Sequence, residues 1–132
     1  MPGFLISDFE KKVELHNYAS YCRKDEMECN RYWMKRNTLN KYLQDKIFCQ
    51  NEDYVLILEG VILNKTELCN QYGAELSQVI VRLYEEMGDE FPKALRGSFS
   101  GAVYDKKADR WLLYTDQIGT KPLYYYRSGK GF

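Results

Sequence analysis

The sequence has no excess of either charge: nineteen Lys and Arg balance nineteen Asp and Glu, for a formal net charge of +0. A general binder of polyanions usually carries a basic surplus, so nucleic acid and membrane are not expected partners. Long apolar runs are also missing. Stretches such as Tyr54-Val55-Leu56-Ile57-Leu58 fall far short of the ~20 residues that span a bilayer. The opening Met1-Pro2-Gly3-Phe4-Leu5-Ile6-Ser7-Asp8 lacks the basic start and long apolar core of an export signal. Histidine occurs once, as His16, with no cysteine or serine motif beside it. It reads as an ordinary helix or surface residue. The cysteines Cys22, Cys29, Cys49 and Cys69 stand 7, 20 and 20 residues apart. Zinc sites usually include a pair two to four residues apart, so no metal is expected. Without an export signal a disulfide framework is not expected either. Free thiols in a reducing cytoplasm are the expectation.

What is present is a chain of 132 residues and 15.7 kDa, enough for one domain and too short for two ordinary ones. Its 45% hydrophobic and 29% charged residues are near globular averages, which excludes disorder and fibre. Twelve Tyr and six Phe favour sheet.

Two unequal stretches follow. From Glu10 to Lys46 the chain is polar and weakly periodic, with Tyr18, Tyr21, Tyr32, Trp33 and Tyr42 set among charges. Aromatics between bases can stack on single-stranded nucleic acid. Asp25, Glu26 and Glu28 are as frequent as the bases, so amphipathic structure covering a sheet is expected, with its elements unassigned. From Ile47 onward the pattern is clear. Ile47-Phe48-Cys49 and Tyr54 to Leu58 read as a hairpin across Gln50-Asn51-Glu52-Asp53. Asn64 followed by Glu67 reads as a helix start, with Gly73 ending that helix. Leu76, Val79, Ile80, Leu83 and Met87 form one helical face, closed by Gly88. Phe91 to Leu95 is a turn or short helix. Ser98 to Tyr104, Trp111 to Thr115 and Leu123 to Tyr126 read as strands, the first with small residues that allow close packing. This order predicts an α+β fold with helices over an antiparallel sheet.

Four blocks then carry a resemblance. Glu59-Gly60-Val61-Ile62-Leu63-Asn64 stands where class II glutamine amidotransferases of the asparagine synthetase type have N-G-E-I-Y-N. Val79 to Gly88 resembles a helix of that family. Leu95-Arg96-Gly97-Ser98-Phe99-Ser100-Gly101-Ala102-Val103-Tyr104-Asp105 is similar to its L-x-G-x-F-A-F-A-x-x-D strand. Thr115 to Tyr125 is similar to its R-D-x-x-G-x-K-P-L-Y-Y segment. The resemblance implies an N-terminal-nucleophile-hydrolase-like α/β/β/α sandwich over residues 1–132. Phe4-Leu5-Ile6 is then expected as a strand in the centre of that sandwich, with Pro2 beside Gly60. The chain stops before the family's last strands and has no synthetase domain. It reads as a fragment of a longer protein or a compact remnant.

In that family a cysteine following the initiator methionine supplies both thiol and α-amine: the amine takes the thiol proton and the thiolate attacks the glutamine amide. Here that position is Pro2, although Gly3 is kept. The four internal cysteines have no α-amine. The resemblance puts the oxyanion-hole asparagine at Glu59, whose charge would oppose a developing oxyanion, with Gly60 retained. The aspartate for the substrate's ammonium falls on Leu76 or a neighbour within Ala74 to Ser77, and the arginine loop has no counterpart between Arg23 and Lys46. Pro2, Gly3, Glu59, Gly60 and Leu76 are thus read as a degenerate glutamine pocket with no catalytic residue, metal or cofactor. Pro2 itself reads as the start of a strand and Tyr124-Tyr125-Tyr126 as packing. The expected role is a glutaminase-silent domain scaffolding a synthetase-type partner in cis or in trans, or a second copy of itself. The alternatives are an active amidotransferase subunit using an unrecognised nucleophile, and a binder of an amino-acid-like ligand.

Overall fold

The computed structural model describes residues 3–8, 22–39 and 43–125, and these fall in two compact units, residues 44–123 forming the larger. In the smaller unit β1 (Gly3–Asp8), β2 (Cys22–Cys29) and β3 (Tyr32–Leu39) form an antiparallel sheet in the order β1-β3-β2. The strand expected at Phe4 to Ile6 is therefore present, and among the described residues it is an edge strand of this sheet. Pro2, and its expected place beside Gly60, lie outside the described residues.

The stretch expected to cover a sheet supplies strands of one instead, since 22–39 is a hairpin. Asn30, with φ of 53°, turns the chain between β2 and β3. Asn tolerates that left-handed conformation better than most residues. The charges that make this stretch look like a solvated face are cross-strand pairs. Asp25 lies opposite Arg36 and Glu26 opposite Lys35. Arg36, only 6% exposed, donates through Nε to Asp25 Oδ2 at 3.1 Å and through Nη2 to the same oxygen.

The larger unit begins with a 3-10 turn at its boundary, Leu43–Asp45, and continues through β4 (Ile47–Gln50), β5 (Tyr54–Ile62), α1 (Lys65–Tyr72) and α2 (Leu76–Met87). A second 3-10 segment (Gly88–Ala94) leads to β6 (Gly97–Asp105) and β7 (Arg110–Thr115). The four strands are antiparallel in the order β4-β5-β6-β7. The turn between β4 and β5 is built by Asn51, whose Oδ1 accepts from the N–H groups of Asp53 and Tyr54 at 2.8 Å. Both helices cover one face of this sheet. Leu56, Leu58, Phe99, Val103 and Tyr114 from the strands meet Leu68 of α1 and Leu76, Val79, Ile80, Leu83 and Tyr84 of α2 in one core. Two antiparallel sheets and two helices make the fold α+β, consistent with a partial N-terminal-nucleophile-hydrolase-like architecture.

Three local expectations are corrected. Met87 is 39% exposed, and Tyr84, one turn after Ile80, completes the buried face in its place. Asn64 sits at the N-cap of α1, but its side chain does not cap the helix. Its Nδ2 donates to the Ala94 carbonyl and its Oδ1 accepts from the Arg96 N–H, both at 2.9 Å. The side chain thus ties α1 to the approach of β6. Residues 123–125 form no strand: nothing pairs with them among the described residues, and Tyr124 and Tyr125 are exposed. Tyr126 lies outside the described residues.

Candidate functional site

β5 and β6 approach so closely at one end that neither tolerates a side chain where they face each other. A Cβ on Gly60 would lie 2.1 Å from the Ser98 carbonyl oxygen, and one on Gly97 would lie 2.0 Å from that of Val61. Their φ values of 141° and 145° are in the region that favours glycine. Gly60 therefore has a structural reason to be glycine, independent of any chemistry.

Glu59 precedes it on β5 and is 2% exposed. The hairpin register Ile47↔Leu58 continues one step outward to set Lys46 beside Glu59. Lys46 Nζ lies 3.2 Å from Glu59 Oε1, and the two side chains are 8% and 3% exposed. A buried carboxylate needs such a partner, because removing an ion from water costs several kcal/mol or more. The neighbouring Asp45 is anchored on the same strand: its Oδ2 accepts from the Ile62 N–H at 3.0 Å. Its Oδ1 lies 2.8 Å from Lys65 Nζ, which also donates to Gln44 Oε1 at 3.3 Å.

Lys46 and Lys65 both line a cleft of about 460 Å³ between β4 and the start of α2, together with Gln44, Ile47, Phe48 and Leu76. Glu75, Ser77 and the exposed Cys49 complete its wall. Leu76 is 5% exposed and belongs to the core beneath the helices. Lys46 thus links two of the expected positions, pairing with Glu59 and sharing the cleft with Leu76. Gly3 opens β1 opposite Asn37 in the other unit, while Pro2 and His16 lie outside the described residues. Cys29, Cys49 and Cys69 are free thiols.

Sequence reasoning passed over Lys46, Asp45 and Lys65, which lay at the edge of the unassigned stretch or in a helix start. Extending the hairpin register by one residue would have found the first. It also passed over the carboxylate of Asp116. Burial works against ionisation of Asp116, but the Thr120 hydroxyl and the N–H groups of Thr120, Phe99 and Ile118 outweigh it and hold the carboxyl at about 2. This fastens the turn after β7 to the start of β6. No described helix is long and apolar enough to cross a membrane.

The family model for the glutamine amidotransferase domain matches residues 43–132. The chain is 35% identical over 85 residues to asparagine synthetase B (glutamine-hydrolyzing) of Escherichia coli, a match covering 59% of this chain and 15% of that protein. It is 40% identical over 83 residues to asparagine synthetase (glutamine-hydrolyzing) 2 of Bacillus subtilis, covering 57% and 11%. With asparagine synthetase (glutamine-hydrolyzing) of Zea mays it shares 33% over 85 residues, 59% of this chain and 14% of that protein. The chain thus spans less than a fifth of the length of the relatives it matches.

Proposed function

Because the chain belongs to the glutamine amidotransferase domain family, in its class II, asparagine synthetase type, we propose that residues 1–132 are one such domain without glutaminase activity. In this reading it serves a synthetase-type, ATP-dependent amide-forming protein as a scaffold, in cis or in trans. The observation that carries the reading is the buried Lys46–Glu59 ion pair. An amide hydrolysis needs hydrogen-bond donors where the tetrahedral oxygen gains charge. A carboxylate at Glu59 offers no donor, and it engages the ammonium of Lys46 that stands beside it.

Two further positions support the same conclusion. Leu76, a core residue at the edge of the cleft, brings hydrocarbon to the position where the family resemblance implies a carboxylate for the substrate ammonium. Position 2, before Gly3, holds proline, which has no thiol to be activated. The reading places the protein in the cytoplasm. Ammonia release from millimolar glutamine by the purified protein tests it: release no faster than the protein-free control is expected. Turnover above that control would overturn it and favour an active subunit with a different nucleophile.

A further inference from the structure

The cleft beside α2 carries cations whose counter-ions are not part of its wall. Lys46 and Lys65 line it, whereas Glu59 and Asp45, which balance them, do not. Those carboxylates are largely buried, their side chains 3% and 11% exposed, and each holds its lysine from a neighbouring strand or turn. The ammonium groups are therefore fixed before any ligand arrives, so little further side-chain entropy is lost on binding. An ammonium has three donors. Among the described residues, Asp45 and Gln44 take two from Lys65, which leaves one for a ligand.

The rest of the wall narrows the chemistry. Ile47, Phe48 and Leu76 give it an apolar side, and the volume of about 460 Å³ falls in the range of small-molecule sites. Among the described residues, the one carboxylate on the wall is Glu75, an exposed residue at the N-cap of α2 that makes no capping bond. Among the described lining residues, a ligand with a free amine would find that exposed, solvent-screened partner. A ligand with carboxylates finds two ammonium groups.

We propose that this cleft binds a small aliphatic dicarboxylate without a free amine, its carboxylates on Lys46 and Lys65 and its methylenes on Leu76, Ile47 and Phe48. The inference goes beyond the loss of glutaminase activity and can fail separately, because ammonia release in the same samples tests that reading alone.

Titration calorimetry of the intact protein with glutarate, L-glutamate and glutaramide tests it. Glutarate should bind saturably, L-glutamate more weakly because of its amine, and the neutral glutaramide roughly tenfold or more weakly, since hydrogen bonds to charged groups are the stronger ones. Lys65→Met should weaken glutarate by a similar factor. Glu75→Gln should tighten it a few-fold by removing the one repelling charge. Because Lys65→Met leaves Asp45 without its cation, the exposed Glu75→Gln variant decides the matter if Lys65→Met does not fold. Absence of glutarate binding, equal binding of glutaramide, tighter binding of L-glutamate, or weakening by Glu75→Gln would each overturn the proposal.

Discussion

The Tyr114 hydroxyl donates to the Ile57 carbonyl at 3.1 Å through a gap that exists because residue 101 has no side chain. A Cβ on Gly101 would lie 2.4 Å from the Ile57 oxygen and 2.4 Å from the Tyr114 hydroxyl oxygen. The family strand that this segment resembles has phenylalanine at that position. A large ring on β7 here fills space next to the smallest residue on β6. Burial raises the Tyr114 pKa far above that of ordinary tyrosine, so it remains a neutral donor.

Gly101→Ala should therefore destabilise the protein by roughly 1–3 kcal/mol, the usual cost of overpacking. Tyr114→Phe should cost about 0.5–1.5 kcal/mol for the lost hydrogen bond. In the double variant the alanine methyl no longer meets the hydroxyl, although it still meets the ring carbon Cζ and the Ile57 oxygen, so the combined loss should be somewhat smaller than the sum. Urea denaturation of the four proteins checks this, and strict additivity would count against the shared gap.

Leu83 and Met87 lie one turn apart on α2, but only the first is in the core, at 3% exposure against 39%. Leu83→Ala should cost roughly 2–5 kcal/mol, as core truncations do. Met87→Ala should cost less than about 0.5 kcal/mol, the ordinary range for surface changes. Denaturant midpoints of the two variants measure the contrast.

Much of the larger unit was legible, for reasons these residues illustrate. Apolar spacing revealed α2, and the polar run from Gln50 to Asp53 revealed the β4–β5 hairpin. Met87 continued the same spacing, but the spacing could not tell that Tyr84 reaches the core instead. The β2–β3 hairpin was hidden because Asp25, Glu26, Lys35 and Arg36 satisfy one another across strands. That pairing is invisible until the register is known. The site was only half legible. Glu59 and Leu76 stood out by comparison with a motif, but the lysine that makes Glu59 tolerable lies thirteen positions earlier, on the other side of a turn.

Breaking the Lys46–Glu59 pair should be costly whichever partner is removed. Glu59→Gln leaves a buried ammonium, and Lys46→Met leaves a buried carboxylate. Each should lose about 3–5 kcal/mol. Lys46→Met combined with Glu59→Leu removes both charges and should regain much of that loss. Chemical denaturation of the three variants tests the coupling. A double variant as unstable as the sum of the singles would mean that the pair is not the main partner of either group.

Asp116 gives the fold an acid-sensitive fastening. Its carboxyl is held at about 2, below the ordinary 3.8, so its bonds stabilise the folded state fully above the unfolded value. That contribution should fade as pH falls from about 4 toward 2. Asp116→Asn should be clearly less stable than the parent at pH 7, and the gap between them should close as pH approaches 2. Denaturant midpoints of both proteins from pH 7 to pH 2 follow this. A gap that stays constant would mean that the charge of Asp116 is not what the surrounding N–H groups hold.

Pro2→Cys alone should not restore glutaminase activity, even with Met1 removed. Losing a single oxyanion donor costs on the order of 10²–10³ in rate, and a carboxylate in its place should cost more. A substrate ammonium would also meet Leu76 instead of a carboxylate. Ammonia release from millimolar glutamine, with N-terminal processing verified by mass spectrometry, is the measurement. Turnover above the protein-free control would mean that Glu59 or Leu76 has been misassigned.

Gly60 and Glu59 are neighbours on β5, yet they answer to different constraints. The Ser98 carbonyl stands 2.1 Å from where any side chain at position 60 would begin, so the pairing of β5 with β6 guards that position. Position 59 is guarded only by the need for a partner for whatever charge it bears. On such a scaffold the two positions can change at different rates. The side chain can drift and acquire a new companion, while the glycine is kept for as long as the two strands pair in this register.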